Sequence, residues 1–172
     1  MNRRTTLILA SVAPLCLAVT LPAGDAMAQQ KSLKEQLLGT WTLVSSETTA
    51  KSGAKRQLYG PNPKGILIFD AGGRYAVVQG RPDRPKIKSP SRFEVTTEEL
   101  GTAVKEFAAN FGTWSVNEAD KTLSRRFEGA LVPNNEGTEQ KYSVSLSGDE
   151  LKLSNVSTVT GDKNEVAYRR AR

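Results

Sequence analysis

One arginine of this chain combines a charged side chain with an apolar setting. Arg125 lies between Leu123 and Phe127, and residues two apart in a β-strand face the same side. If those neighbours face a core, the guanidinium faces it too, and a buried charge is costly without a partner. Two hypotheses follow: Arg125 binds the carboxylate or phosphate of a ligand, or it forms a structural ion pair with an inward carboxylate such as Glu47.

The strand register decides which arginine is meant. A slip of one residue would turn Arg125 outward and Arg126 inward, because side chains alternate between the two faces of a strand.

Several other residues could line a ligand pocket, since pockets are usually lined by apolar side chains with a few polar groups. With Arg125 and Glu47, a small set of such side chains forms the candidate binding site, although the same residues would fill a core equally well. They are Tyr75, Val77, Gln79, Phe127 and Tyr142.

Catalytic chemistry is narrowly limited by composition. The chain contains no histidine and one cysteine, Cys16. The lack of histidine excludes Ser-His-Asp and Cys-His catalysis and the usual zinc sites, so we expect no metal and no cofactor. If the protein were an enzyme, general acid–base catalysis would have to use carboxylates, Lys or Tyr. We favour a non-enzymatic binding protein. The alternative is a barrel-type cyclase or isomerase that uses Arg125, Glu47 or a tyrosine.

Positive charge concentrates in one loop. The chain carries a formal charge of +6 at pH 7, and the segment 81–92 has five basic residues against the single acid Asp83. They are Arg81, Arg84, Lys86, Lys88 and Arg92. The loop is a candidate for contact with anionic components of the cell envelope, which gives a third functional hypothesis, an envelope interaction module. The alternative is that the segment is a solvent-exposed loop stiffened by prolines, with no binding role. Nucleic acid is not an expected partner, because aromatic residues are not interleaved with the basic ones.

The N-terminus has the features of an export signal. Arg3 and Arg4 precede an uncharged apolar run over 5–22, and residues 26–28 (AMA) match a cleavage site. We predict a cleavable signal peptide over 1–28, and therefore a periplasmic or secreted protein with no transmembrane segment in the mature chain. Residues 29–38 would lead into a single domain over 39–172.

The remaining chain predicts an all-β fold. Short alternating segments separated by turn residues indicate an antiparallel barrel of about eight strands. In the first strand Trp41, Leu43, Ser45 and Glu47 would share one face. A short second strand is expected over 56–59 and another from 112. Between them the sequence predicts one mid-chain helix at about 97–110. Its capping box is Thr96 with Glu99, and its apolar face holds Val104, Phe107, Ala108 and Phe111.

Five segments carry a resemblance to a known family. They are 38–45 (LGTWTLVS), 59–69 (YGPNPKGILIF), 81–85 (RPDRP), 111–116 (FGTWSV) and 137–140 (GTEQ). Together they make the chain similar to the bacterial lipocalin-like domain family over nearly all of 38–170. The resemblance implies a lipocalin-like β-barrel with a cavity for a small apolar molecule. It also implies that Trp41 packs against an arginine of the last strand, either Arg169 or Arg170.

Overall fold

The fold is that of a computed structural model, which describes residues 31–91 and 93–172. The predicted signal peptide over 1–28 and Arg92 of the basic loop lie outside the described residues. No helix in the two described ranges is both long enough and apolar enough to cross a bilayer.

The described residues form nine antiparallel strands, of which all but β2 neighbour one another in sequence order. Eight of them, β1 and β3 to β9, form a closed barrel, because β1 pairs with β3 on one side and with β9 on the other. The extra strand β2 pairs only with the last residues of β1. The predicted all-β, lipocalin-like barrel is confirmed. The strands are β1 Gly39–Thr49, β2 Lys55–Gln57, β3 Lys64–Phe69, β4 Arg74–Gly80, β5 Phe107–Asn117, β6 Thr122–Ala130, β7 Glu139–Ser147, β8 Glu150–Val156 and β9 Lys163–Arg170.

One end of the barrel is filled by large apolar side chains. The short helix α1 (Leu33–Leu37) lies at this end and places Leu37 in the core. Trp41 is completely buried, and its Nε1 donates a hydrogen bond to the Leu37 carbonyl oxygen at 2.8 Å. Trp114 packs on Phe69 with ring centroids 4.6 Å apart. Aromatic packing therefore closes this end.

The opposite end carries the long connections. Alternate connections of an up-and-down barrel lie at the same end, so the segments 50–63, 81–106, 131–138 and 157–162 surround one rim. The turns at the closed end are much shorter. A cavity can therefore open only toward the rim of long connections.

A bulge in β1 changes which of its residues face inward. The register of β1 against β9 shifts between Leu43 and Ser45. Beyond that point Ser46 and Thr48 are buried, while Ser45 and Glu47 are not. The predicted inward alternation through Ser45 and Glu47 is therefore wrong, because one extra residue in a strand reverses the faces that follow it.

The mid-chain helix is shorter than predicted. Helix α2 spans Thr97–Lys105 and begins with the predicted Thr96–Glu99 capping box. Residues 107–111 belong to β5, where Phe107 pairs with Gly80 and Phe111 pairs with Ala76. The helical prediction over 106–110 fails because ladder hydrogen bonds to β4 satisfy this backbone, and long-range pairing overrides a local apolar pattern. The second strand also lies earlier than the predicted 56–59, and Tyr59 falls beyond it.

Candidate functional site

Arg125 faces the barrel interior. It lies on β6 with only 7% of its surface exposed, between the buried Leu123 and Phe127. Its neighbour Arg126 is exposed. The register places the predicted arginine inside, and the alternative with Arg126 inside is wrong.

Tyrosines surround the guanidinium. Nη2 of Arg125 donates a hydrogen bond to Tyr142 Oη, which in turn donates to Gln140 Oε1. Cζ of Arg125 lies 4.3 Å from the ring centroid of Tyr142 and 5.2 Å from that of Tyr75. Cation–π contacts of this kind offset part of the desolvation of the cation, but they bring no negative charge.

Arg125 has no salt-bridge partner in the part of the chain that the structure describes. Among the described residues, no carboxylate forms an ion pair with it. Its Nε is buried and has no hydrogen-bond partner. The hypothesis of an ion pair with Glu47 is wrong, because the β1 bulge turns Glu47 outward, where it binds Lys55 Nζ at 2.9 Å. A buried guanidinium that lacks both a counter-charge and a hydrogen-bond partner for its Nε atom can bind an anion.

Arg125 forms part of the wall of a cavity of about 640 Å³. Val77, Gln79, Phe127 and Tyr142 of the predicted set also line it. The volume lies within the range of about 300 to 1,000 Å³ that is usual for small-molecule sites. The structure thus brings five of the seven predicted residues to one cavity, and Glu47 and Tyr75 are the exceptions.

Tyr75 is buried in the barrel interior but does not line the cavity. Its ring packs edge to face against Phe127, with centroids 6.4 Å apart. The two rings meet across Gly112, which pairs with both residues and has no side chain. The Oη atom of Tyr75 is buried without a partner. Burial raises the pKa of Tyr75 to about 12, against the opposing effect of the Arg125 charge. Tyr75 therefore contacts the Arg125 guanidinium through its ring and remains a neutral phenol.

Two further tyrosines that were not predicted from the sequence lie on the cavity wall. The chain has four tyrosines, and Tyr59 and Tyr168 line the cavity with Tyr142. Tyr168 Oη donates to Gln79 Oε1 at 3.2 Å. Burial raises the pKa of both Tyr59 and Tyr168, so both are neutral hydroxyl groups near pH 7. The alternation of Val166, Tyr168 and Arg170 in the last strand was the signal that could have identified Tyr168.

A second polar group lies nearer the rim. Thr48 Oγ1 donates to Asn164 Oδ1 at 2.9 Å, and Asn164 Nδ2 donates to Asn155 Oδ1 at 3.2 Å. Ser46 is buried below Thr48, and its Oγ has no partner. Ser46, Asn155 and Asn164 line the same cavity as Arg125. The bulge in β1 is the reason that Ser46 faces inward, so a regular alternation could not have predicted it.

Arg170 is the closing arginine of the barrel. Its Cζ lies 4.2 Å from the Trp41 ring centroid, and its Nη1 and Nη2 donate to the carbonyl oxygens of Leu38 and Gln36 at 3.1 and 2.7 Å. Arg169 points outward and pairs with Glu150 at 3.5 Å. Of the two arginines left open by the sequence, the contact belongs to Arg170 and not to Arg169.

The basic loop does not line this cavity. Arg81 pairs with Asp83 at 3.3 Å and with Glu106 at 3.6 Å, and Arg84 lies over the Phe107 ring at 4.2 Å. None of the described residues of 81–106 is part of the wall around Arg125. The segment 84–88 instead forms a separate groove with α2. Much of the loop's charge is therefore engaged locally.

No metal centre is formed in the described part of the chain, since no three His, Cys, Asp or Glu side chains within 31–91 and 93–172 are grouped to hold an ion. The closed eight-stranded barrel, filled at one end and hollow at the other, defines a lipocalin-like protein. The profile of the lipocalin-like domain family matches residues 38–171, and the chain belongs to that family.

Three solved structures with a similar fold are distant in sequence. A lipocalin-like protein from Bacteroides uniformis is 14% identical, with 78% of this chain and 98% of that chain covered and a TM-score of 0.44. A de novo designed fluorescence-activating β-barrel is 10% identical, with 82% and 99% covered and a TM-score of 0.43. The N57Q mutant of the fluorescent protein UnaG is 14% identical, with 80% and 97% covered and a TM-score of 0.36. No curated protein matches the chain.

Proposed function

We propose that the protein binds a small organic molecule with an apolar body and an anionic group, and that it holds this molecule in the barrel without catalysing a reaction. The observation that carries the proposal is Arg125. Its guanidinium is buried, faces a cavity of about 640 Å³, and forms no ion pair with any described residue.

The anionic group follows from electrostatics. Removing a guanidinium from water costs several kcal/mol, and attraction to a nearby anion offsets that cost most effectively in a desolvated site. The tyrosines cannot supply the anion near pH 7, because burial raises the pKa of Tyr75, Tyr59 and Tyr168. A ligand carboxylate or phosphate would supply it.

The apolar body follows from the rest of the wall. Val77, Phe127, Leu153 and Val166 present carbon atoms to the cavity on four different strands. Burial of apolar ligand surface against them is favourable at roughly 25 cal/mol per Å². An anion with no apolar part would leave these side chains facing water.

Native mass spectrometry of the protein purified from its own host tests this function. We expect a co-purified organic acid on the wild type, and its loss from Arg125→Met. Arg126→Met is the matched control, because Arg126 occupies the next position of the same strand and is exposed. A bound molecule that is retained by Arg125→Met, or one that bears no acidic group, would contradict the proposal.

We also propose that the protein is exported and acts in the periplasm or outside the cell. The basic, apolar and small-residue regions of 1–28 support this. The intact mass of the protein from its host tests it. We expect a chain that begins at Gln29, and a full-length chain that retains residues 1–28 would overturn the proposal.

A further inference from the structure

We propose that the ligand is a rigid, elongated organic acid with a hydrogen-bonding group at the end opposite its anion, rather than a fatty acid. This inference rests on the proposed function and defines the class of its ligand. It follows from the distribution of polar side chains along the cavity.

The deep polar group surrounds Arg125. Tyr142 accepts a hydrogen bond from Arg125 and donates one to Gln140, which lies toward the rim on β7, and Tyr168 of β9 donates to Gln79. Tyr168 lies within electrostatic range of Arg125. Among the described residues that line the cavity, Arg125 is the buried cation, whereas Lys141 and Glu139 are exposed, so the anion of the ligand lies here.

The outer polar group lies on β8 and β9 and is formed by Asn155 and Asn164, which pair directly in the sheet, whereas Ser46 of β1 pairs with Val166 one row deeper. The asparagines are connected by the hydrogen bond from Asn164 Nδ2 to Asn155 Oδ1 at 3.2 Å. This group contains no charged side chain. It can therefore donate to or accept from a neutral ligand group such as a hydroxyl or an amide.

Between the two groups lies a level that is apolar on β8 and β9 and carries the Ser46 hydroxyl on β1. On β9, Val166 lies between Asn164 and Tyr168, and on β8, Leu153 lies two residues deeper than Asn155. Tyr168 lies four positions along β9 from Asn164, which places the Cα atoms of these two residues roughly 13 Å apart because a strand rises about 3.3 Å per residue. A ligand that satisfies both ends has about the length of two fused or linked rings.

A fatty acid fits this arrangement poorly. Its carboxylate would satisfy Arg125, but its methylene chain would cover the Ser46 Oγ atom, which is buried without a partner, and the part-buried amides of Asn155 and Asn164, and it would offer none of them a hydrogen bond. Only seven of the 22 residues that line the cavity have wholly apolar side chains. A site whose buried polar groups are left unpaired discriminates strongly against the analogue that lacks the partner group. The wall therefore selects a ligand that is polar at both ends.

Four matched probes test the ligand class by isothermal titration calorimetry. They are a hydroxybiphenylcarboxylate with its two groups at opposite ends, the same acid without the hydroxyl, the methyl ester of the hydroxy acid, and dodecanoate. We expect the hydroxy acid to bind best. Loss of the hydroxyl should weaken binding about fivefold to tenfold, and loss of the charge by more than about tenfold.

Two variants assign these differences to the two ends. In Asn164→Val the advantage of the hydroxyl should disappear while the preference for acid over ester persists. In Arg125→Met the preference for acid over ester should disappear, and Arg126→Met should behave as the wild type. This pattern cannot arise from a general loss of folding.

The outcomes separate the two proposals. If dodecanoate binds as tightly as the hydroxy acid, or if the hydroxyl adds nothing, the ligand class is wrong and the anion-binding function stands. If acid and ester bind equally, the anion-binding function fails as well. If no probe binds with a Kd below about 1 mM, both proposals are overturned.

Discussion

Arg125 and Tyr142 are joined twice in the barrel interior. The guanidinium donates a hydrogen bond to the phenolic oxygen, and Cζ lies 4.3 Å from the centroid of the same ring. Tyr142 therefore orients the arginine without neutralising it. A cation that is already held in place in this way can receive an anion at little further ordering cost.

The ligand-free protein should not need Arg125 for its stability. We expect the free energy of unfolding of ligand-free Arg125→Met to be unchanged or higher by about 1 kcal/mol, because an apolar side chain of similar volume removes a desolvated charge. Urea denaturation measures this, with Arg126→Met as the control, which should lie within about 0.5 kcal/mol of the wild type. A loss of more than about 2 kcal/mol in Arg125→Met would show that the arginine has a structural role.

Arg170 should behave in the opposite way. Arg170→Ala removes the contact with Trp41, two hydrogen bonds to the carbonyl oxygens of Leu38 and Gln36, and an ion pair with Asp149 at 3.5 Å. We expect thermal and urea unfolding to show a loss of about 2 to 3 kcal/mol, because hydrogen bonds from charged donors are among the stronger ones. Arg169→Ala is the matched control. Its ion pair with Glu150 is exposed, so its loss should be below about 1 kcal/mol. Equal losses in the two variants would contradict this role of Arg170.

Much of the barrel could be predicted from local patterns, because alternation and turn residues determine most strands directly. Leu123 and Phe127 favoured an inward Arg125, and the strand register left Arg126 as the alternative. The contact between Trp41 and an arginine of the last strand was predicted from the resemblance to lipocalin-like domains. These features depend on residues two apart or on a short motif, so a single sequence contains the necessary information.

The features that the sequence did not reveal depend on contacts between distant segments. The bulge in β1 is a property of its pairing with β9, and it brings Ser46 inward and turns Glu47 outward. Residues 107–111 follow a helical apolar pattern, but their backbone pairs with β4. Neither outcome can be read from one segment. For the same reason, the polar group of Ser46, Asn155 and Asn164 was not anticipated.

Gly112 should be intolerant of any side chain. A Cβ atom there would lie 1.9 Å from the carbonyl oxygen of Arg126, which is backbone and cannot move aside cheaply. We expect Gly112→Ala to lower the free energy of unfolding by about 2 to 3 kcal/mol, through strain at the pairing of β5 with β6. Gly101→Ala is the matched control. Gly101 lies in α2, where an added Cβ atom would have no neighbour within 4 Å, so alanine should stabilise by about 0.5 to 1 kcal/mol. Urea denaturation of both variants decides whether the close approach at Gly112 is real.

Tyr75 should make the fold sensitive to alkali. Burial raises the pKa of Tyr75 to about 12, whereas a tyrosine in the unfolded chain has a pKa near the ordinary value of 10.0. The unfolded state therefore loses this proton first as the pH rises. The contribution of the buried phenol to stability is complete below pH 10 and is lost progressively toward pH 12, on the order of 1 kcal/mol per pH unit.

Tyr75→Phe isolates this effect from that of the other tyrosines. At pH 8 we expect the variant to be as stable as the wild type or slightly more stable, because the Tyr75 Oη is buried without a partner and its removal breaks no hydrogen bond. Between pH 10 and pH 12 the wild type should lose stability faster than Tyr75→Phe, since Tyr59 and Tyr168 titrate in both proteins. Urea denaturation at a series of pH values measures the difference. Parallel pH profiles would show that Tyr75 is hydrated in the folded protein, and that Arg125 is then less desolvated than its position indicates.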